Sequence, residues 1–353
     1  EIVALFQSIN HLDVPKTVIR TICLLVLAML SISGRVTMLG LSRWTEEGGS
    51  YRTLQRFFDE EIEWAQISVL VVSLWFLKKG KTVLLIGDAT VISKAGKKTY
   101  GLGRFFSSLS GKPIRGLEFE ALSVVDFETR QAYPVRMEKI VKEKEVEKKK
   151  AKTKKGGKKG RPKGSKNKNR KEVMFSSKQE KMKKWIISTK KLLEETGVKV
   201  EHFVYDGAFG NNTSVQLVRQ CGLHLISKLR QDSALYYPYE GEQKERGADK
   251  KYGEKLNVAN LQEPDRVANT TEDGVRIEIF QMTLWHKLFT DQLNIVVIRK
   301  TKLESGKQAH IILFSTDLKL SYEKIIDYYC LRFQIEFNFR DAKQFWGLED
   351  FMN

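Results

Sequence analysis

Two uncharged apolar runs of 14 residues, Thr21–Gly34 and Trp64–Leu77, dominate the first eighty positions. Val14–Ser33 reads as a buried helix, and Gly34 is its stop. Arg35–Trp44 follows. Gly48-Gly49 then breaks the chain, Ser50 is placed to cap a helix over Tyr51–Phe58, and Ile62–Leu77 is a further apolar helix. Residues 1–80 therefore read as a helical domain.

From Lys81 the period changes. Thr82–Ile86 is a continuous apolar run closed by Gly87-Asp88, the pattern of a central strand buried on both faces. Leu117–Phe127 and Gln131–Ile140 are the next strands, turning near Glu128. Ser177–Thr196 is an amphipathic helix with Gly197 as its C-terminal signal. Val200–Tyr205 is a strand ending at Asp206, Thr213–Cys221 a helix and Leu223–Leu229 a strand. Arg230–Gly274 is polar and turn-rich. Val275–Leu284, Leu293–Arg299 and His310–Phe314 read as strands, and Ser321 as the cap of one long helix to about Phe345. Strands alternating with helices predict a mixed α/β core. A β-rich insertion is expected at about 230–308, inside a second domain spanning 81–353.

Charge adds a partner. The 353-residue chain has 61 Lys+Arg against 43 Asp+Glu, a formal net charge of +18. Between Arg136 and Lys191 there are 24 basic and 6 acidic residues, so that segment alone accounts for the excess. No apolar periodicity runs through about 143–170, which reads as a disordered basic insert. A concentrated polycation points to a polyanion, most simply nucleic acid. The outward side of Tyr51–Phe58 shows Arg52, Gln55 and Arg56. That helix reads either as one entering a DNA groove or as part of a packing subdomain. The apolar runs are too short to span a bilayer, and no signal peptide is visible. Cys23, Cys221 and Cys330 are three and far apart, against a disulfide framework or a four-cysteine zinc site. The five histidines show no metal-ligand spacing.

Two carboxylates carry the candidate chemistry. Asp88 and Asp206 each close a strongly apolar strand, where a charge needs a partner and where α/β proteins gather functional groups. On neighbouring strands they would repel unless a cation lay between them, and oxygen-only ligands suit Mg²⁺ or Mn²⁺. Each aspartate alone is more commonly a turn or cap residue. On a straight-helix projection Tyr329, Arg332, Glu336 and Lys343 fall within roughly a 60° arc, beside an apolar stripe of Tyr328, Leu331, Ile335, Phe339, Ala342 and Trp346. Glu336 between two cations is either a salt-bridged surface face or the third carboxylate of a metal site.

Tyr329-x2-Arg332-x3-Glu336-x6-Lys343 resembles the Y-x2-R-x3-E-x6-K signature of DDE transposases of bacterial insertion sequences, the IS-four-like group. Leu331–Lys343 and Phe314-Ser-Thr-Asp317 look like that family as well. Ile86-Gly-Asp88-Ala-Thr90 with Lys97–Gly103 resembles its first-aspartate motif, and Tyr205-Asp206-Gly-Ala-Phe209 its second. The resemblance covers about residues 35–350. It implies a ribonuclease-H-like mixed sheet core with a β-rich insertion between Asp206 and Glu336, and an N-terminal helical domain. It implies Asp88, Asp206 and Glu336 as catalytic metal ligands for two Mg²⁺ (or Mn²⁺) ions in phosphoryl transfer. Tyr329, Arg332 and Lys343 would hold phosphates of the transposon end. The partners it implies are double-stranded DNA, as transposon ends and target, and a second copy of the chain on that DNA. The setting it implies is a bacterial cytoplasm, at the nucleoid. The chain departs from the family pattern in stopping ten residues after Lys343, where members usually continue.

Further DNA contacts are expected at Lys94, Lys97, Lys98 and Arg104, shortly after Asp88. Trp285, in the β-rich stretch, is readable as a stacking platform for an extruded base or as packing. Lys159–Gly164, with Arg161 and Lys163, resembles an AT-hook core or is a nonspecific polycationic loop. Two rival functions remain. One is a truncated or domesticated DNA-binding protein without transposition activity. The other is a structure-selective nuclease on the same fold.

Overall fold

The computed structural model describes residues 15–44, 50–96, 98–107, 110–141 and 171–349. The basic insert expected at about 143–170, with Arg161 and Lys163, lies outside the described residues, and so does Lys97.

Four helices come first: α1 (Lys16–Ser31), α2 (Met38–Trp44), α3 (Tyr51–Asp59) and α4 (Trp64–Trp75). Val18, Ile22, Leu25, Leu41, Leu54, Phe57 and Ile67 bury together as a separate small core. Val69 and Val72 of α4 instead join the main core under the sheet. One helix thus serves two cores, because its apolar residues run nearly all the way round it.

The strands are β1 (Thr82–Ser93), β2 (Gly103–Ser107), β3 (Lys112–Asp126), β4 (Gln131–Ile140), β5 (Lys199–Tyr205), β6 (His224–Leu229), β7 (Leu235–Pro238), β8 (Tyr252–Lys255), β9 (Arg266–Glu272), β10 (Val275–His286), β11 (Leu293–Lys302) and β12 (Gln308–Ser315). Among the described residues they form one mixed sheet in the order β2-β3-β1-β5-β6-β12-β11-β10-β7-β8. β4 also lies on the outer edge of β3, and β9 on that of β10. β1, β5 and β6 are parallel; the other pairings are antiparallel. The polar stretch 230–274, read as mainly turns, contributes β7, β8 and β9. Their alternation is weak because most of their positions are only half-buried or exposed.

Helices α5 (Ser177–Glu195) and α6 (Asn212–Gln220) cover one face of the sheet; α7 (Tyr322–Leu331) and α8 (Gln334–Gln344) cover the other. α5 starts at a reciprocal cap. Ser176 Oγ accepts from the Gln179 amide, and the Gln179 side chain accepts from the Ser176 amide. It stops at Gly197, whose φ of 81° suits glycine. Strand side chains alternate between the two faces. Val83, Leu85, Phe203 and Tyr205 point to α5, whereas Leu84, Ile86, Val204 and Ile226 point to α7 and α8.

Candidate active site

Strand parity brings the two aspartates together. Asp88 is two residues after Ile86 and Asp206 two after Val204, so both continue toward the α7–α8 face. β1 and β5 run parallel with Gly87 opposite Tyr205, which sets the aspartates side by side one residue later.

Asp88 does not end its strand, as the sequence suggested. β1 keeps pairing with β3 as far as Ser93 opposite Gly116, while its pairing with β5 stops at Gly87. Asp88 therefore sits where β1 loses one neighbour, beside the point where Asp206 turns out of the sheet. Asp206 caps a short 3₁₀ turn, Gly207–Phe209. Gly87 faces the opposite side. A Cβ there would lie 2.8 Å from the Phe203 ring and 3.0 Å from Tyr205, so aromatic packing behind Asp88 requires a glycine.

The third carboxylate comes from a broken helix. The single helix expected to Phe345 is two, α7 and α8. The amides of Arg332, Phe333, Ile335 and Glu336 bond to carbonyls three residues back. This 3₁₀ tightening advances about 120° per residue and resets the helical face between Tyr329 and Glu336. Leu331, Ile335 and Phe339 remain buried against the sheet.

Arg332 lies between the three acids. Its Nη1 is 3.4 Å from Asp88 Oδ2, its Nε 3.7 Å from Asp206 Oδ1 and its Nη2 3.6 Å from Glu336 Oε1. The Arg332 side chain is 15% exposed, and its buried Nε has no hydrogen-bond partner. These distances are long for hydrogen bonds, so net charge rather than aligned bonding holds the group. The guanidinium also lies 5.8 Å from the centre of the Tyr329 ring. Burial pushes the Asp88 carboxyl up to about 6. The Ala89 amide and Arg332 oppose that rise, and Asp206 and Glu336 add to it. Burial likewise raises the Tyr329 hydroxyl, with Arg332 opposing.

Among the described residues, no three His, Cys, Asp or Glu side chains stand close enough to hold one metal ion in common. The guanidinium is the cation they surround. The donor set nevertheless fits a hard divalent ion, since three anionic oxygen donors from three separate elements converge on one positive group.

The remaining expected DNA contacts are dispersed. Lys343 is 3.8 Å from Glu349, and Lys94 donates to the Glu349 carbonyl at 3.0 Å, which ties the end of the described chain to the tip of β1. Lys98 and Arg104 line a shallow recess with Arg115, beyond Ser93, and Arg104 donates to the Pro113 carbonyl. From Asp88 to Ser93 alone the strand runs about 17 Å.

Trp285 is not brought to the carboxylates. Successive antiparallel pairings through β6, β12, β11 and β10 place the end of β10 level with the start of β6, the sheet edge opposite Asp206. There Trp285 packs at 6.1 Å from Tyr252 and lines a cavity of about 410 Å³ with Arg219, His224 and Asp291.

A mixed α/β sheet with an acidic cluster under α7 and α8 is consistent with a DDE nuclease fold. Residues 5–291 match the family model described as DDE superfamily endonuclease, and the chain belongs to that family. Comparison with curated proteins finds no match. The matched stretch contains Asp88 and Asp206 and ends before Arg332 and Glu336. Membership implies a nuclease-type enzyme acting on DNA, in a family that generally uses divalent metal ions. No helix among the described residues is long and apolar enough to cross a membrane.

Proposed function

We propose that this chain is a DNA transposase of the IS-four-like type, cutting and joining element ends with divalent metal ions. The observation that carries the reading is the convergence of Asp88, Asp206 and Glu336 on Arg332 from β1, the turn after β5 and α8. Asp88, Asp206 and Glu336 would hold Mg²⁺ or Mn²⁺, two ions in all, which when bound activate water or a DNA 3′-hydroxyl and stabilise the leaving oxygen. Arg332 offsets part of the acids' charge without them and, once released, offers a bidentate donor to a phosphate beside the cut. Tyr329 backs that guanidinium, and Lys343 supplies a further cation one face along α8.

On this reading the core is ribonuclease-H-like. Residues 1–80 form a DNA-binding helical domain, 81–353 the catalytic domain, and about 230–308 its β-rich insertion. Lys98 and Arg104, with Lys97, Arg161 and Lys163, extend the contact along the duplex. The protein works as a homodimer on DNA at the bacterial nucleoid.

The test uses labelled DNA carrying the element's own ends, with Mg²⁺ or Mn²⁺. Glu336→Gln should abolish cleavage while leaving DNA binding intact. Cleavage by Glu336→Gln at the wild-type rate would remove the assignment. Cleavage without joining would favour a structure-selective nuclease.

A further inference from the structure

α7 starts without a cap of its own. Ser321, placed to cap it, makes no side-chain bond to the first turn. Gln281 of β10 supplies one instead: its Oε1 accepts from the Tyr322 amide at 3.1 Å, across 41 positions of sequence. Its Nε2 donates to the Leu320 carbonyl at 2.8 Å and to Asn294 Oδ1 at 2.9 Å. Asn294 of β11 is 1% exposed, and its Nδ2 donates to the carbonyls of Leu320 at 2.8 Å and Asp317 at 3.0 Å. Every polar side-chain atom of the two amides is therefore bonded. The partners settle their orientation, since an N–H needs an oxygen and a carbonyl needs an N–H. A third tie comes from β5, where His202 Nε2 lies 3.3 Å from Asp317 Oδ2.

Direction is what these bonds add. Ile325, Tyr328 and Leu331 bury α7 against the sheet, but apolar contact is non-directional and lets a helix turn or slide. Hydrogen bonds are directional, and a fully bonded buried pair holds one arrangement. His202, Val204 and Asp206 alternate onto one face of β5. α7 runs beside that face: Asp317, ahead of the helix, meets His202, and Arg332, just past its end, meets Asp206. The two amides thus fix the start of the helix whose far end delivers Arg332 to the acids, with Glu336 one turn beyond.

We propose that Gln281 and Asn294 are positioning residues: they fix the rotation and register of α7, and through it the placement of Arg332 and Glu336 against Asp88 and Asp206. For what the placed cluster does, the proposal rests on the DNA-cleaving reading above. It adds a task for the β-rich stretch, whose strands β10 and β11 assemble the site without contributing a side chain to it.

A double-mutant cycle on the full chain, in chelator, reads the placement without metal or DNA. The clamp and Arg332 stand at opposite ends of α7, about 15 Å apart along its axis, so unrelated effects on melting temperature would add. Gln281→Leu keeps most of the bulk and removes the bonds. In that background the melting-temperature loss caused by Arg332→Ala should shrink to about half or less. Gln281 is only half-buried, which makes it the safer site for folding, and Asn294→Ala should repeat the result. Cleavage of labelled DNA with Mg²⁺, at a temperature where the variant is folded, gives the second readout. Gln281→Leu should lose about tenfold or more in kcat with KM for DNA unchanged. Additive melting losses, or a kcat equal to that of the wild type, overturn the proposal. A wild type that cuts no DNA removes the cleaving reading, while the metal-free cycle still decides whether the clamp places Arg332.

Discussion

Arg332 Nη1 lies 3.4 Å from Asp88 Oδ2, joining residues 244 positions apart across the interface of β1 and the α7–α8 break. The same guanidinium reaches Asp206 and Glu336. One guanidinium offsets only part of the charge of three ionised acids, and a divalent cation bound there would compete with Arg332 for the same oxygens.

Replacing Arg332 with alanine exposes that competition. The three acids are left to repel one another, so stability in chelator should fall by about 1–3 kcal/mol. Added Mg²⁺ should raise the melting temperature of the variant more than that of the wild type, because no guanidinium is displaced. Thermal unfolding with and without Mg²⁺ measures both. An equal Mg²⁺ shift in the two proteins would mean that Arg332 and the ion do not share ligands.

Asp88 sets a pH limit. Its carboxyl is pushed up to about 6, chiefly by burial, so without a bound ion it is protonated below that pH. A ligand must lose its proton to bind metal. Mg²⁺ affinity should therefore be flat above about 6 and fall about tenfold per pH unit below it. Calorimetric titration across pH 5 to 8, as the range about the shifted value, checks the slope; affinity independent of pH contradicts it.

Glu120 behaves differently, on the α5 side of the sheet. It is 1% exposed, one of its oxygens has no hydrogen bond, and Lys178 is 4.0 Å away. Burial first, and Glu118 and Glu138 in addition, push its carboxyl up to about 7 against Lys178 and Lys181. A raised carboxyl favours the fold while protonated, and that advantage is lost as pH rises from about 4.5 through 7. Glu120→Gln should accordingly gain about 1–3 kcal/mol relative to wild type at pH 8 and little at pH 4. Denaturant unfolding at the two pH values gives the difference, and equal values at both would refute it.

Gly87→Ala should be costly, because its Cβ would lie 2.8 Å from Phe203 and 3.0 Å from Tyr205. Moving those buried rings should cost about 1–3 kcal/mol and shift Asp88 relative to Asp206. The expected sign is a lower melting temperature with a larger fractional loss of cleavage than of DNA binding.

Deleting Glu143–Arg170 removes most of the basic segment. DNA affinity should fall, and the slope of log affinity against log salt should flatten. An unchanged slope would assign the phosphate contacts to the rest of the chain.

Much of this was open to reading along the chain. The apolar runs marked α1 and α4, and β4 spans the segment read as a strand, Gln131–Ile140. Leu84-x-Ile86-x-Asp88 and Val204-x-Asp206 already fixed that each aspartate shares a face with buried neighbours. These are short-range facts, set by side-chain periods of two and 3.6 residues.

Tertiary structure decided the rest. The extension of β1 past Asp88 depends on β3, more than twenty residues away, since an edge continues only where a partner supplies hydrogen bonds. The split of α7 from α8 puts Arg332 among the acids rather than beside them, a result of packing on the sheet and not of helix propensity. Trp285 sits at the far edge because strand order and direction, not sequence distance, determine which ends of strands meet. Sequence by itself determined which residues face inward and which groups carry charge. Only closure of the long loops between strands determined which of those groups share one small volume.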